Sequence, residues 1–131
     1  MFLALFLFNS GCGQEASYVD ISDTTIVWQG YVDEDSDLLA RFNETMSCLN
    51  ALGVDRAGYP YVIVVQDTFL CGSIQGATGC WSDDAVYITS FYFHATIFGL
   101  DIFKHEVIHW ATRLGDEAHD TIYFVQCQNA T

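Results

Sequence analysis

The chain has 131 residues, which is the length of one domain. Its composition is 51% hydrophobic and 15% aromatic with a single proline, which supplies a core and excludes an intrinsically disordered chain. The 17 acidic residues against 4 basic ones give a formal net charge of −13, which makes nucleic acid and anionic membrane surfaces poor partners because their phosphate groups would be repelled.

The N-terminal residues predict export. The chain begins with an unbroken apolar run, MFLALFLF, followed by NSGCG. This run is too short to span a bilayer as a helix and is typical of the apolar core of a secretory signal. Ser10 and Gly11 precede Cys12 as in the cleavage box of a bacterial lipoprotein signal, which would leave Cys12 as a lipidated, membrane-attached N-terminus. We therefore expect a signal segment at 1–12 and a polar tether at 13–25, in a cell-envelope lipoprotein or a secreted protein.

Four cysteines follow Cys12, at positions 48, 71, 80 and 127. An even number in an exported chain of this size suggests two disulfides, for which three pairings can be drawn. Cys71 and Cys80 flank a glycine-rich loop and would close it locally, which leaves Cys48 with Cys127. The spacings contain no CxxC, so disulfides are favoured over zinc ligation by cysteine.

The region 26–131 is predicted to be one domain that begins with a short strand at 26–32. The acidic run at 33–37 predicts the start of a helix, because carboxylates are favourable at the positive end of the helix dipole. Apolar residues then recur at helical spacing until Gly53 supplies a stop. This core-facing stripe consists of Leu38, Leu39, Phe42, Met46, Leu49 and Leu52.

The second half of the chain is predicted to contain two strands followed by two helices. The run at 61–65 has β-branched residues on both faces, which predicts a strand buried in the middle of a sheet. The elements expected after it are a strand at 85–89, an aromatic connector at 91–94, a helix that begins between Ala95 and Asp101 and is stopped at Leu114–Gly115, and a last helix from about Glu117 to Cys127 beside the N-cap Asp116. The domain is therefore predicted to be α+β.

The second predicted helix carries the sequence HEVIH at positions 105–109. Histidines four residues apart on a helix project from one face, roughly 6 Å from each other, so His105 and His109 can reach one metal ion. Glu106 can then reach a water on that ion. The neighbouring residues make the helix largely apolar, and burying two histidines and a glutamate without a metal would be costly. The motif therefore predicts a metal site.

A catalytic zinc ion usually has three protein ligands and one water. His119 is the favoured third ligand because nitrogen suits zinc and because the chain reverses at Gly115, which allows His119 to point back at the metal. The rival ligands are the oxygens of Asp116, Glu117 and Asp120 and the nitrogen of His94.

The HEVIH motif, followed by His119-Asp120 and by Phe124, resembles the zincin metallopeptidases. Among them it is similar to the SprT-like and WLM-type pattern, in which the third histidine opens a following helix and an aromatic residue comes a few positions later. The interval between His109 and His119 differs from the short one of the metzincins. The resemblance implies a small zincin-like domain, with a short mixed sheet packed against the HExxH helix and with helices before and after it.

The resemblance also implies a function, a zinc-dependent metalloendopeptidase that cleaves protein or peptide substrates. His105, His109 and His119 would hold Zn²⁺, and Glu106 would act as the general base. The alternative is a non-catalytic exported binding or cell-surface module that zinc stabilises. The intact Glu106 favours the peptidase, because a purely structural site needs no general base.

Two supporting roles in this site are expected but assigned less narrowly. Asp116 and Asp120 are candidates to orient a ligand imidazole from behind. A further donor should stabilise the oxyanion. The sequence leaves that donor open among Tyr87, Tyr92, His94 and Tyr123.

Overall fold

The computed structural model describes residues 18–93, 96–97 and 99–129. The predicted signal segment, Cys12 and His94 lie outside these residues. Within them the protein has an α+β fold, as predicted, with mixed sheets and four helices. The strands are β1 (Val19–Asp20), β2 (Ile26–Tyr31), β3 (Tyr61–Val65), β4 (Phe69–Cys71), β5 (Ile74–Ala77), β6 (Gly79–Trp81), β7 (Ala85–Thr89), β8 (Thr96–Ile97) and β9 (Leu100–Asp101). The helices are α1 (Ser36–Ala51), α2 (Ser90–Phe93), α3 (Ile102–Thr112) and α4 (Ile122–Cys127), and short 3-10 turns lie at Val32–Glu34 and Asp116–Ala118.

The main sheet has four strands in the order β2-β3-β7-β6. The three predicted strands form as β2, β3 and β7, and β3 pairs with β7 in parallel, with Tyr61 opposite Ala85 and Val65 opposite Thr89. β2 and β6 pair antiparallel on the two sides of them. β3 therefore has an interior position, as its β-branched sequence predicted, and β6 is an edge strand among the described residues.

The glycine-rich segment between Cys71 and Cys80 was expected to be a loop and instead contributes two strands, β5 and β6. The chain turns back between β4 and β5 at Gly72. Its φ of +59° is a conformation that glycine adopts without a steric penalty. β5 joins β4 and β1 in a second sheet, whose core packs on one face of the main sheet. Part of the segment predicted to be a tether, 13–25, belongs to this sheet instead. Val19–Asp20 forms β1, and Ile21 packs against the core of the second sheet.

The first helix is confirmed close to its predicted bounds. The Asp35 carboxylate accepts hydrogen bonds from the backbone N–H groups of Asp37 and Leu38, which caps the start of α1. Gly53 follows the helix with a φ of +90°, as expected of a glycine stop. The stripe packs into the main core with the inner face of the main sheet and with α3.

Helix α3 starts at Ile102, one residue after the predicted range, because the Asp101 side chain caps it by accepting from Lys104 N at 3.1 Å. The predicted glycine stop is wrong. Arg113 itself takes the left-handed conformation, with a φ of +58°, and its N–H donates to His109 O at 2.8 Å. The predicted last helix is split into the 3-10 turn at Asp116–Ala118 and α4.

Two disulfides tie these elements together. Cys48 of α1 bonds to Cys127 of α4, and Cys71 of β4 bonds to Cys80 of β6, which is the pairing that the local loop favoured. Disulfides are consistent with an oxidising, exported environment. None of the helices among the described residues has the length and apolar character needed to cross a membrane.

Candidate metal centre

Three histidines converge at one point of the structure. α3 supplies His105 and His109 from successive turns, and the 3-10 turn ends at His119, which brings it back towards the helix. One ring nitrogen of each lies within 4.8 Å of the others. The Nε2 atoms of His109 and His119 are 3.0 Å apart, close to the roughly 3.3 Å expected of two nitrogens on one tetrahedral zinc ion. The group could therefore hold a metal ion.

Polar partners behind the rings, two of them at hydrogen-bonding distance, turn the Nε2 atoms inward. The Nδ1 atom of His109 lies 2.6 Å from Leu114 O, and a carbonyl oxygen only accepts, so Nδ1 carries the hydrogen. His105 Nδ1 is 3.1 Å from the amide oxygen of Gln128. His119 Nδ1 is 3.6 Å from the Asp116 carboxylate. Such partners fix the tautomer of metal-binding histidines and leave the Nε2 lone pairs for the ion.

The electrostatics of the cluster keep its imidazoles neutral. Burial, aided by the neighbouring His119, lowers the pKa of His105 to about 3. Burial and the proximity of His105 lower the pKa of His109 to about 2. The pKa of His119 is lowered by burial as well, with Asp116 opposing the shift. Because a metal binds only the neutral imidazole, all three rings are in the ligating form at neutral pH.

Two buried polar atoms at this centre have no hydrogen-bond partner within the described part of the chain. They are His105 Nε2 and Glu106 Oε1. An unsatisfied buried polar group costs about 1–3 kcal/mol, more when it is charged. A metal ion would satisfy the first of these atoms, and a water beside the ion would satisfy the second. The orphaned atoms are therefore an independent indication that the site fits a metal.

The edge strand β6 covers part of the face of α3 that carries Glu106 and His109. A Cβ atom at Gly79 would lie 2.7 Å from Glu106 Oε2 and 3.0 Å from Ile102 Cγ2, so only glycine leaves room for the carboxylate. Two residues along the strand, the Trp81 ring stacks on His109 with centroids 5.9 Å apart and planes 3° apart. β6 thus confines both the carboxylate and one ligand ring.

Replacing Gly79 with alanine is expected to destabilise the protein by about 1–3 kcal/mol, the usual cost of overpacking a core. The added methyl group must displace either β6 or the Glu106 carboxylate, because its nearest neighbours lie within 3.1 Å. Chemical denaturation of the metal-free variant measures this loss. A variant as stable as the wild type would show that β6 does not confine Glu106.

Helix α4 closes the other side of the centre. The Phe124 ring lies 4.9, 4.7 and 5.1 Å from the rings of His105, His109 and His119, measured between centroids. Gln128, just beyond the helix, reaches His105. The disulfide at Cys127 holds this end of the chain against α1. The aromatic residue that the sequence pattern singled out therefore packs on all three predicted ligands.

Two of the acidic residues considered as alternative metal ligands lie in the 3-10 turn that precedes His119. The Asp116 carboxylate lies 3.6 Å from His119 Nδ1, and Glu117 accepts from Gly115 N at 3.3 Å. Tyr87 is wrong as an oxyanion donor. It packs with Ile63 against the second core, on the face of the sheet away from α3. Tyr92 and Tyr123 are half-buried against the main core.

The buried carboxyl and the buried histidines predict opposite responses of stability to pH in the metal-free protein. Burial raises the pKa of Glu106 well above its ordinary 4.5, so its contribution to stability falls as pH rises above that value. The pKa values of His105 and His109 lie below their ordinary 6.5, so each of these histidines lowers the stability as pH falls below 6.5. We therefore expect metal-free Glu106→Gln to be more stable than the wild type at pH 7.

The same substitution supplies its own control at acid pH. Below pH 4.5 the Glu106 carboxyl is protonated in the folded and the unfolded chain, so the advantage of glutamine should disappear there. Both proteins should then lose stability in parallel towards pH 3 as the histidines of the unfolded chain take up protons. Urea denaturation at a series of pH values measures both effects. An advantage of Glu106→Gln that is constant from pH 4 to 7 would contradict this account.

Sequence reasoning missed Gly79, Trp81 and Gln128, which touch the centre from distant parts of the chain. Only Gly79 left a signal, as a glycine beside a cysteine, and that signal is equally typical of a turn.

A scan against protein-family models, a search of curated proteins and a search of solved structures find no match to this chain.

Proposed function

We propose that the protein is a zinc-dependent metalloendopeptidase with a zincin-like domain. In this proposal His105, His109 and His119 hold Zn²⁺ and Glu106 is the general base. The observation that carries it is the convergence of three neutral histidines beside a buried glutamate that has an unpaired oxygen. A structural site would need the three nitrogens but would have no use for the carboxylate.

Zinc is the metal that this donor set favours. Three imidazole nitrogens suit a borderline ion such as zinc better than calcium or magnesium, which prefer oxygen. Structural zinc sites are usually closed by four ligands, often cysteines. The four cysteines of the described residues are all in disulfides, so none of them can close this site. Three protein ligands leave a fourth position, as catalytic zinc requires.

Proton transfer is the role of Glu106. When bound at the histidines, zinc would polarise the scissile carbonyl and lower the pKa of a water molecule. The Glu106 carboxylate accepts the proton of the attacking water and passes it to the leaving amine nitrogen. The Glu106 side chain lies under Gly79 and is 1% exposed, so the carboxylate that receives the proton is held in place. The nearby positive charge would return Glu106 to the ionised form that a base requires.

The substrate would be a peptide that approaches the ion from the side of His119, the least buried of the three histidines. β6 is an edge of the main sheet and lies against α3, but its three residues are buried, so this strand is not available to pair with a substrate strand. We further propose that the protein acts outside the cytoplasm, secreted or attached to the membrane through a lipid on Cys12. The two disulfides support this location.

A non-catalytic, zinc-stabilised exported module is the second candidate. Deep burial of the ligands favours it, since His105 is 5% and His109 0% exposed, which leaves the side of His119 for access. The two candidates differ in whether a peptide can reach the ion. They agree that the ion is bound.

Cleavage of a broad peptide library by the zinc-loaded protein tests the proposal, with products identified by mass spectrometry. We expect cleavage that stops on treatment with a chelator and returns when zinc is added. Zinc bound without any cleavage would overturn the peptidase and favour the module. A protein that binds no zinc would overturn both candidates.

A further inference from the structure

A cavity lies away from the metal centre, at the end of the main sheet where β2 ends and β3 and β7 begin. Its volume is about 570 Å³, within the range of roughly 300–1,000 Å³ typical of small-ligand pockets. None of the three histidines, nor Glu106, lines it. Any ligand bound there would be held by a different set of residues.

Five of the eleven residues that line this cavity are aromatic. They are Tyr31, Tyr59, Tyr61, Tyr87 and Trp110. Tyr31 and Tyr59 remain 50% and 44% exposed, so their rings are accessible to a ligand. Packing nevertheless holds them, because Tyr31 meets Tyr61 edge to face at 5.0 Å between centroids. Tyrosine combines an apolar ring face with a hydroxyl group, which suits ligands that have both kinds of surface.

The charged groups of the cavity balance each other. Arg56 lies over the Trp110 ring, 4.1 Å from its centroid, and donates to the carbonyl oxygens of Trp110 and Asp83. The carboxylate-bearing residue of the lining is Asp84. An anionic ligand would be repelled by this residue and by a chain of net charge −13. Arg56 already forms an ion pair with Asp83, at 3.4 Å between Nη2 and Oδ1, so this guanidinium is not an excess positive charge that would select an anion. The hydroxyl groups of a neutral ligand can use both Arg56 and Asp84 without bringing a net charge into the pocket.

We propose that this tyrosine pocket binds a neutral saccharide. A sugar ring presents C–H groups on its faces, which pack on the exposed rings of Tyr31 and Tyr59. Its hydroxyl groups both donate and accept, so they can bond to Asp84, to Arg56 and to the tyrosine hydroxyls. A proline-rich peptide also fits aromatic grooves, but it has few N–H donors for the Asp84 carboxylate. The pocket is independent of the proposed peptidase, because no metal ligand contributes to it.

Calorimetric titration of the whole protein tests this assignment, with maltotetraose, cellotetraose and tetra-N-acetylchitotetraose as saccharide probes and decaproline as the peptide probe. We expect at least one saccharide to bind. Tyr31→Ala and Tyr59→Ala should each weaken its binding roughly tenfold, as the loss of a stacked ring does. Phe91→Ala is the matched control, because Phe91 is 73% exposed and lies outside the pocket. The saccharide affinity of this variant should equal that of the wild type.

The outcomes separate this inference from the proposed peptidase. Removing zinc with a chelator should leave the saccharide affinity unchanged. If the alanine variants melt at a lower temperature than the wild type, Tyr59→Phe is measured in addition. This variant keeps the aromatic ring, so its saccharide affinity should stay within a few-fold of that of the wild type. Absence of saccharide binding at millimolar concentration would overturn the inference. So would saccharide binding that neither Tyr31→Ala nor Tyr59→Ala weakens, or binding of decaproline alone.

Discussion

Glu106→Gln is expected to keep its zinc and to lose about 10²–10⁴-fold in kcat/KM for a peptide substrate, the usual contribution of a general base. Glutamine has the shape of glutamate, so it fits beneath Gly79, but its amide cannot accept the proton of the attacking water. Metal analysis and a fluorogenic peptide assay on the same sample measure both properties. Loss of activity together with loss of zinc would show only that the site had been disrupted.

Glu117→Gln is the matched control for this prediction. It makes the same chemical change in the 3-10 turn, where the Glu117 carboxylate accepts from a backbone N–H and lies outside the three-histidine group that could hold a metal. Its kcat/KM should stay within about twofold of the wild type. Peptidase activity that survives in Glu106→Gln would refute the assigned mechanism.

Removing the Cys48–Cys127 disulfide is the second change with a large expected effect. The two cysteines are 79 residues apart, so loop-closure entropy predicts a loss of about 4–5 kcal/mol in the free energy of unfolding. The bond also anchors Phe124 and Gln128 against the histidines. The double variant Cys48→Ala/Cys127→Ala should therefore bind zinc about 10- to 100-fold more weakly, as when a residue that orients a ligand is lost.

The second disulfide provides the comparison. Cys71 and Cys80 are 9 residues apart, so the same reasoning predicts a loss of only about 2–3 kcal/mol. β6 remains paired with β7 without this bond, and the zinc affinity should change little. Denaturant unfolding and zinc titration of both double variants measure these effects. An equal loss of zinc affinity in the two variants would contradict the anchoring role of Cys127.

Periodicity and spacing predicted the parts of the fold that depend on neighbouring residues. The stripe of α1, its acidic start and the β-branched run of β3 each form the expected element, because the apolar face and the backbone preference agree locally. The four-residue spacing in HEVIH likewise placed His105 and His109 on one face. The turn after Thr112 brought His119 to them, although Arg113 rather than Gly115 ends the helix.

Contacts between distant residues could not be predicted in this way. Gly79 makes room for Glu106 only because β6 is the edge strand that crosses α3, and strand order is not encoded by local pattern. Tyr87 was a plausible donor until the register of β7 placed it on the far face of the sheet. Gln128 reaches His105 because a disulfide holds the end of α4, a constraint that acts across 79 residues.

Zinc titration of the metal-free protein, followed by X-ray absorption at the zinc edge, tests the central claim that three histidines hold one ion. The wild type should take up one equivalent of zinc with nitrogen ligands at about 2.0–2.1 Å. His119→Ala should bind zinc more than about 100-fold more weakly, because a direct ligand contributes more than the residues that orient it. Absence of bound zinc in the wild type, or an affinity that His119→Ala leaves unchanged, would contradict the account.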